Sequence, residues 1–259
     1  MSAKGDEMRF AAVLFVCCVT LLSCGSGTKT IDRSPSELAP GVSGVLVSPH
    51  EAGPHAGVVL LHGAVGWRPE IVDLASVLAD SGFVALVIDY YAEVNRTPIR
   101  STEKLEAWPA YQAAVQRAVE YLQSLPAVAG RPVGLVGFSR GAFLAVSVAS
   151  STPGVGAVVD FYGGGGGGPA SLEEDVQGLP PILILHGDAD AIVPVSFAFA
   201  LRDAVIAAGG QAELHVYAGA GHVFNLSYSP TYSKDAADDA TRRTIDFLHR
   251  RLTPGETTP

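Results

Sequence analysis

Apolar runs rich in valine, isoleucine and leucine recur at Val42 to Val47, Gly57 to Leu61, Phe83 to Ile88, Val133 to Val136, Val155 to Phe161, Ile182 to Leu185 and Leu214 to Tyr217. Short unbroken runs of this kind predict strands buried on both faces. Between them, apolar side chains return every three or four positions over Glu70 to Asp80, Glu103 to Leu125, Gly141 to Ala149, Val195 to Ala208 and Lys234 to Leu252. That spacing predicts helices with one apolar stripe. Strands alternating with helices give an α/β domain whose mostly parallel sheet is covered on both faces, with sites expected beyond the carboxyl ends of the strands. No internal repeat is visible.

Composition narrows this picture. With 259 residues, 48% of them apolar and 17% charged, the chain can bury one large core, which fits a single domain over residues 41–253 followed by a disordered tail, 254–259. A formal net charge of -9 makes phosphate-rich polymers poor partners, so no nucleic acid is expected. The cluster Arg242, Arg243, Arg250 and Arg251 follows Asp235, Asp238 and Asp239 on the last predicted helix. Acid at the start and base at the end suit the helix dipole and read as a solvated face.

The amino-terminal pattern differs from the rest. Lys4 and Arg9 precede a stretch from Phe10 to Leu22 that is apolar except for Thr20, too short to span a bilayer and of the length of a signal-peptide core, so residues 1–23 read as an export segment. Leu21-Leu22-Ser23-Cys24 resembles the lipobox of bacterial lipoproteins. The resemblance implies lipidation of Cys24, contact with a membrane through that anchor alone, and a cell-envelope location. An ordinary secretory signal cleaved nearby is the alternative. Removal of Cys17 and Cys18 with the signal leaves Cys24 as the sole thiol, so no intrachain disulfide is expected. Residues 24–40 turn to Ser, Thr, Gly and Pro and read as a flexible tether.

Candidate chemistry centres on Ser139, within Gly137-Phe138-Ser139-Arg140-Gly141 between a predicted strand and a predicted helix. This is the context of a nucleophile elbow, where a sharp reversal exposes the serine and leaves no room for flanking Cβ atoms. A serine hydroxyl needs a base, and the base needs a partner to fix its tautomer. His222, in Gly219-Ala220-Gly221-His222, lies after the last predicted strand and is the candidate base. Asp190 is the leading candidate acid, with Asp188 and Asp160 as rivals. The chain order Ser, Asp, His is that of an α/β-hydrolase triad. The backbone N–H groups of Arg140 and of Ala64, in Leu61-His62-Gly63-Ala64, are the expected oxyanion donors. Tyr91, Phe161, Tyr162 and Phe224 are candidate pocket-lining residues. The run Gly163 to Gly168 lacks a following Gly-Lys-Ser/Thr and reads as a flexible loop at the rim of the site rather than a phosphate cradle. The histidines show no metal-ligand spacing, so neither a metal nor another cofactor is expected.

Taken together, the loop near Ala64, Asp89-Tyr90-Tyr91, the elbow, His186-Gly187-Asp188-Ala189-Asp190 and Gly221-His222-Val223-Phe224 resemble the dienelactone hydrolase family of the α/β-hydrolase fold over roughly residues 41–252. The resemblance implies that fold and hydrolysis of small to medium esters. Three positions depart from the family pattern. Where carboxylate-binding arginines are expected, Glu93 and Leu226 stand, and Gly63 replaces a glutamate beside the oxyanion donor. Neutral esters are therefore expected to be preferred over carboxylate-bearing ones. The other readings are an inert, surface-anchored binding lipoprotein and a small peptidase of the same fold.

Overall fold

Gly57-Val58-Val59-Leu60-Leu61 carries no polar side chain, and as a strand it is buried at every position in the middle of an eight-stranded sheet. The strands are β1 (Ser36–Ala39), β2 (Val42–Val47), β3 (Gly57–Leu61), β4 (Val84–Ile88), β5 (Val133–Phe138), β6 (Val155–Phe161), β7 (Ile182–Gly187) and β8 (Ala212–Tyr217). Their spatial order is β1-β2-β4-β3-β5-β6-β7-β8. The pairs β1–β2 and β2–β4 are antiparallel, and the remaining pairs are parallel. The structure is a computed structural model that describes residues 33–92, 104–128, 130–253 and 255. The export segment, Cys24, Glu93 and the tail other than Gly255 lie outside the described residues.

The helices are α1 (Pro69–Asp80), α2 (Lys104–Ser124), α3 (Arg140–Ala149), α4 (Leu172–Asp175), α5 (Ser196–Ala207) and α6 (Lys234–Leu252). Two cores result, one on each face of the sheet. Apolar side chains of α2, α3 and α5, among them Trp108, Val115, Leu144 and Leu201, pack on one face. Those of α1 and α6, among them Ile71, Leu78, Phe247 and Leu248, pack on the other. Every described position of β4 and β5 is buried, as expected for parallel strands covered on both sides.

The sheet begins earlier than the sequence pattern predicts. β1 lies within the stretch 24–40 expected to be a tether. Its residues Ser36-Glu37-Leu38-Ala39 are too polar to show as a strand, but an edge strand needs no second apolar face. The missed signal is Pro40-Gly41: Ala39 pairs with Val42 across this turn, and Gly41 has φ +72°, as a Pro-Gly type II turn requires. The short helix α4 also escaped the periodicity. Its capping box is legible, with the Glu174 N–H bonded to Ser171 Oγ and the Ser171 N–H to the Glu174 carboxylate.

Candidate active site

Ser139 occupies the sharp reversal between β5 and α3, with φ 52° and ψ -115°. A Cβ on Gly137 would lie 2.3 Å from Gly141 O, and one on Gly141 would lie 2.2 Å from Leu61 O, so neither position admits a side chain. The Ser139 N–H donates to Phe161 O at 2.9 Å, which ties the reversal to the end of β6.

His222 follows β8, and its ring reaches back over the sheet ends. Its Nε2 lies 3.0 Å from Ser139 Oγ and its Nδ1 2.7 Å from Asp190 Oδ2. Asp190 sits in the turn after β7 with its side chain fully buried. Its Oδ1 accepts the N–H groups of Ile192 and Val193 at 2.8 and 2.9 Å. This leaves the other oxygen aimed at the imidazole. The His186 Nε2–H, which donates to Val193 O at 2.8 Å, lies 3.4 Å from Asp190 Oδ2. Burial pushes the pKa of His186 down, which suits a neutral ring in that role.

The rival acids are engaged elsewhere. Asp188 Oδ1 accepts the Gly219 N–H at 2.7 Å and pins the approach to His222. Asp160, fully buried at the end of β6, accepts the Gly163 N–H at 2.7 Å, while its Oδ2 has no partner. Desolvation raises its pKa to about 7.

Gly63 borders Ser139, since a Cβ built on it would lie 3.6 Å from Ser139 Cβ, and Ala64 lines the same cavity. Among the described residues, no acceptor within the protein takes the N–H of Ala64 or that of Arg140. The Arg140 side chain turns away from the cavity and donates to Tyr91 Oη, which in turn donates to Ala64 O at 3.1 Å. The two expected oxyanion donors are thus linked through one phenol. His62 braces the same loop, stacked on Tyr90 at 4.0 Å between ring centres.

A cavity of about 520 Å³ opens on Ser139 and His222. Its walls are largely apolar, with Val65, Ile71, Phe138, Ile192, Val223 and Leu226 among them. Of the four expected lining residues only Tyr162 borders it. Tyr91, Phe161 and Phe224 are buried in the core. Tyr91 is held inward by its bonds to Ala64 and Arg140, and Phe161 and Phe224 pack in the core on the α1 and α6 face of the sheet. The glycine run does not line the cavity either. It is packed and bonded, with the Gly166 N–H on Asp175 Oδ2 at 2.8 Å, rather than a free loop at the rim.

Sequence reasoning missed Arg68, which enters the cavity from the residue preceding α1 and lies 4.7 Å over the Tyr228 ring. Apart from His222 it is the one titrating or charged group among the described cavity residues other than the phenols. Leu226, at one of the departure positions, borders the same cavity as Arg68. The signal for Arg68 is its place just before a helix whose Pro69 marks the first turn.

Three non-glycine residues have positive φ among the described residues: Ser139 (52°), Tyr162 (45°) and Val223 (61°). All three line this cavity. Each such conformation costs on the order of 1–3 kcal/mol, and such strain concentrates where a fold commits backbone to a site.

Comparison with known proteins agrees with this architecture. A profile of the Dienelactone hydrolase family matches residues 42–252. A protein of Methylorubrum extorquens, provisionally named a carboxymethylenebutenolidase, is 28% identical over 218 residues, covering 78% of this chain and 74% of that one. A Bradyrhizobium protein named a probable 2-oxo-3-(5-oxofuran-2-ylidene)propanoate lactonase is 29% identical over 222 residues, covering 80% of this chain and 88% of the relative. Among solved structures, a Klebsiella pneumoniae protein provisionally named a dienelactone hydrolase superposes with a TM-score of 0.72 at 24% identity. It covers 81% of this chain and 93% of its own. The fold is the α/β-hydrolase fold.

Proposed function

The chain belongs to the dienelactone hydrolase family, and from that premise we propose that it is a serine hydrolase that cleaves carboxylic esters through an acyl-enzyme. The observation that carries this reading is the unbroken hydrogen-bond line from Ser139 Oγ through His222 to Asp190, with steps of 3.0 and 2.7 Å.

In the first half-reaction, Ser139 Oγ bonds to the ester carbonyl carbon as its proton passes to His222 Nε2. Asp190 holds Nδ1–H and stabilises the imidazolium that forms. The carbonyl oxygen becomes an oxyanion facing the free N–H groups of Ala64 and Arg140, each worth roughly 3 kcal/mol of the barrier. Collapse breaks the bond to the alcohol, which leaves with the proton from His222. Water then repeats the sequence on the acyl-enzyme, with His222 as base, and releases the acid and Ser139.

The apolar walls favour esters with an apolar acyl or alcohol part, and about 520 Å³ suits a small to medium molecule. Ser139→Ala should lower turnover of a chromogenic ester by about three orders of magnitude or more; unchanged turnover ends the proposal. Anchoring through a lipid on Cys24 remains part of the proposal, and metabolic labelling with a fatty-acid probe, abolished by Cys24→Ala, tests it.

A further inference from the structure

The loop that ends β6 meets His222 through the side chain of Tyr162. Its ring lies edge-on to the His222 imidazole, 4.8 Å between centres at 64°. Its hydroxyl donates to Asn225 Oδ1 at 2.8 Å, on the segment that carries His222. Its own N–H is fixed by Leu185 O at 2.9 Å, on β7. The preceding carbonyl, that of Phe161, holds the Ser139 N–H. Two consecutive residues therefore touch the nucleophile and the base.

The backbone at Tyr162 is in the left-handed region, rare for a bulky side chain, and Val223, directly after His222, is there too. Strained backbone persists only where surrounding contacts over-determine it. Here those contacts are identifiable: the sheet bond at the Tyr162 N–H, the packed ring, and the hydroxyl bond to Asn225. A tyrosine needed only to fill the core at this place would require neither the positive φ nor the bond to the histidine loop.

We infer that Tyr162 is a positioning residue: ring packing and the bond to Asn225 together fix the distance and tilt of His222 relative to Ser139. This rests on the reading of His222 as the base. An imidazole free to swing spends less time within reach of Oγ, so the expected loss is in the chemical step and not in substrate binding. The pair Tyr162 and Asn225 acts as one device, so removing either member should cost as much as removing both.

The test compares Tyr162→Phe, Asn225→Ala and the double variant in ester hydrolysis. Each single variant should lower kcat by about tenfold, with KM changed by less than about twofold. The double variant should lose no more than either single one. Tyr162→Leu, which also removes the ring, should lose more than Tyr162→Phe. Melting temperatures read alongside separate positioning from folding. Singles that keep the parent kcat overturn the inference, as do losses that multiply in the double variant. If Tyr162→Phe fails to fold, Asn225→Ala carries the test alone, because Asn225 lies outside the cavity walls. Labelling of Ser139 by a fluorophosphonate in the parent protein reports on the hydrolase reading itself. Labelled parent with unaffected variants rejects only the role of Tyr162, and unlabelled parent rejects the reading beneath it.

Discussion

Asp160, at the end of β6, and Asp190, in the turn after β7, are both buried and take different partners. β6 and β7 run side by side, and each delivers a buried aspartate to the same rim of the sheet, Asp160 and Asp190. Asp190 receives two backbone N–H groups on one oxygen and the His222 ring on the other. Asp160 keeps one oxygen without a partner, and desolvation raises its pKa to about 7. Burial alone therefore does not decide which partners a carboxyl group takes. What distinguishes the two is the donors that the following turn supplies.

Substitution of the two acids should separate the loops most sharply. Asp190→Asn leaves the geometry nearly intact but cannot stabilise an imidazolium, so kcat/KM for a chromogenic ester should fall by about 10³–10⁴. Asp160→Asn should stay within about threefold of the parent. Equal losses in the two variants would erase the distinction.

Steric substitution gives the next largest effect. A Cβ on Gly163 would meet Ala142 Cβ at 2.4 Å and the Asp160 oxygens at 3.0 and 3.1 Å. Gly163→Ala should lower unfolding stability by about 1–3 kcal/mol, measured by urea denaturation. A variant as stable as the parent would show that this loop yields more easily than its packing implies.

The fold was largely legible in the sequence because buried parallel strands leave continuous Val, Ile and Leu runs and their helices leave a three-to-four repeat. β1 was not, since Ser36-Glu37-Leu38-Ala39 pairs on one side only and carries no such run. At the site, the glycines around Ser139 and those before His222 marked the reversals that bring Ser139, Asp190 and His222 together. The walls were harder to read. Val65, Ile192 and Tyr228 stand on loops, where side-chain direction follows no period, and Arg68 lies just outside a helix. Tyr91, Phe161 and Phe224 share the composition of wall residues, and only packing separates them from the core.

A titration sharpens the Asp160 half of the comparison. Its folded pKa of about 7 exceeds the ordinary 3.8, so between those values the folded protein holds a proton that the unfolded chain has released. Stability from this group is present at low pH and is lost as pH rises through that window, then levels off. Asp160→Asn should therefore flatten the melting temperature between about pH 4 and 7 relative to the parent. Parallel curves would mean that Asp160 does not titrate there.

The smallest effect belongs to the wall shared by neither loop. Arg68→Met should lower kcat/KM for carboxylate-bearing esters about threefold to tenfold more than for neutral esters of the same size. An unchanged ratio would show that the guanidinium over Tyr228 does not meet the substrate.

The central claim is that Ser139 is a nucleophile primed by His222. Intact and peptide mass spectrometry after treatment with a fluorophosphonate answers this directly. The expected result is one adduct per chain, mapped to Ser139, formed at least about a hundredfold more slowly in His222→Ala. No adduct on Ser139, or one that forms as fast without His222, would contradict it.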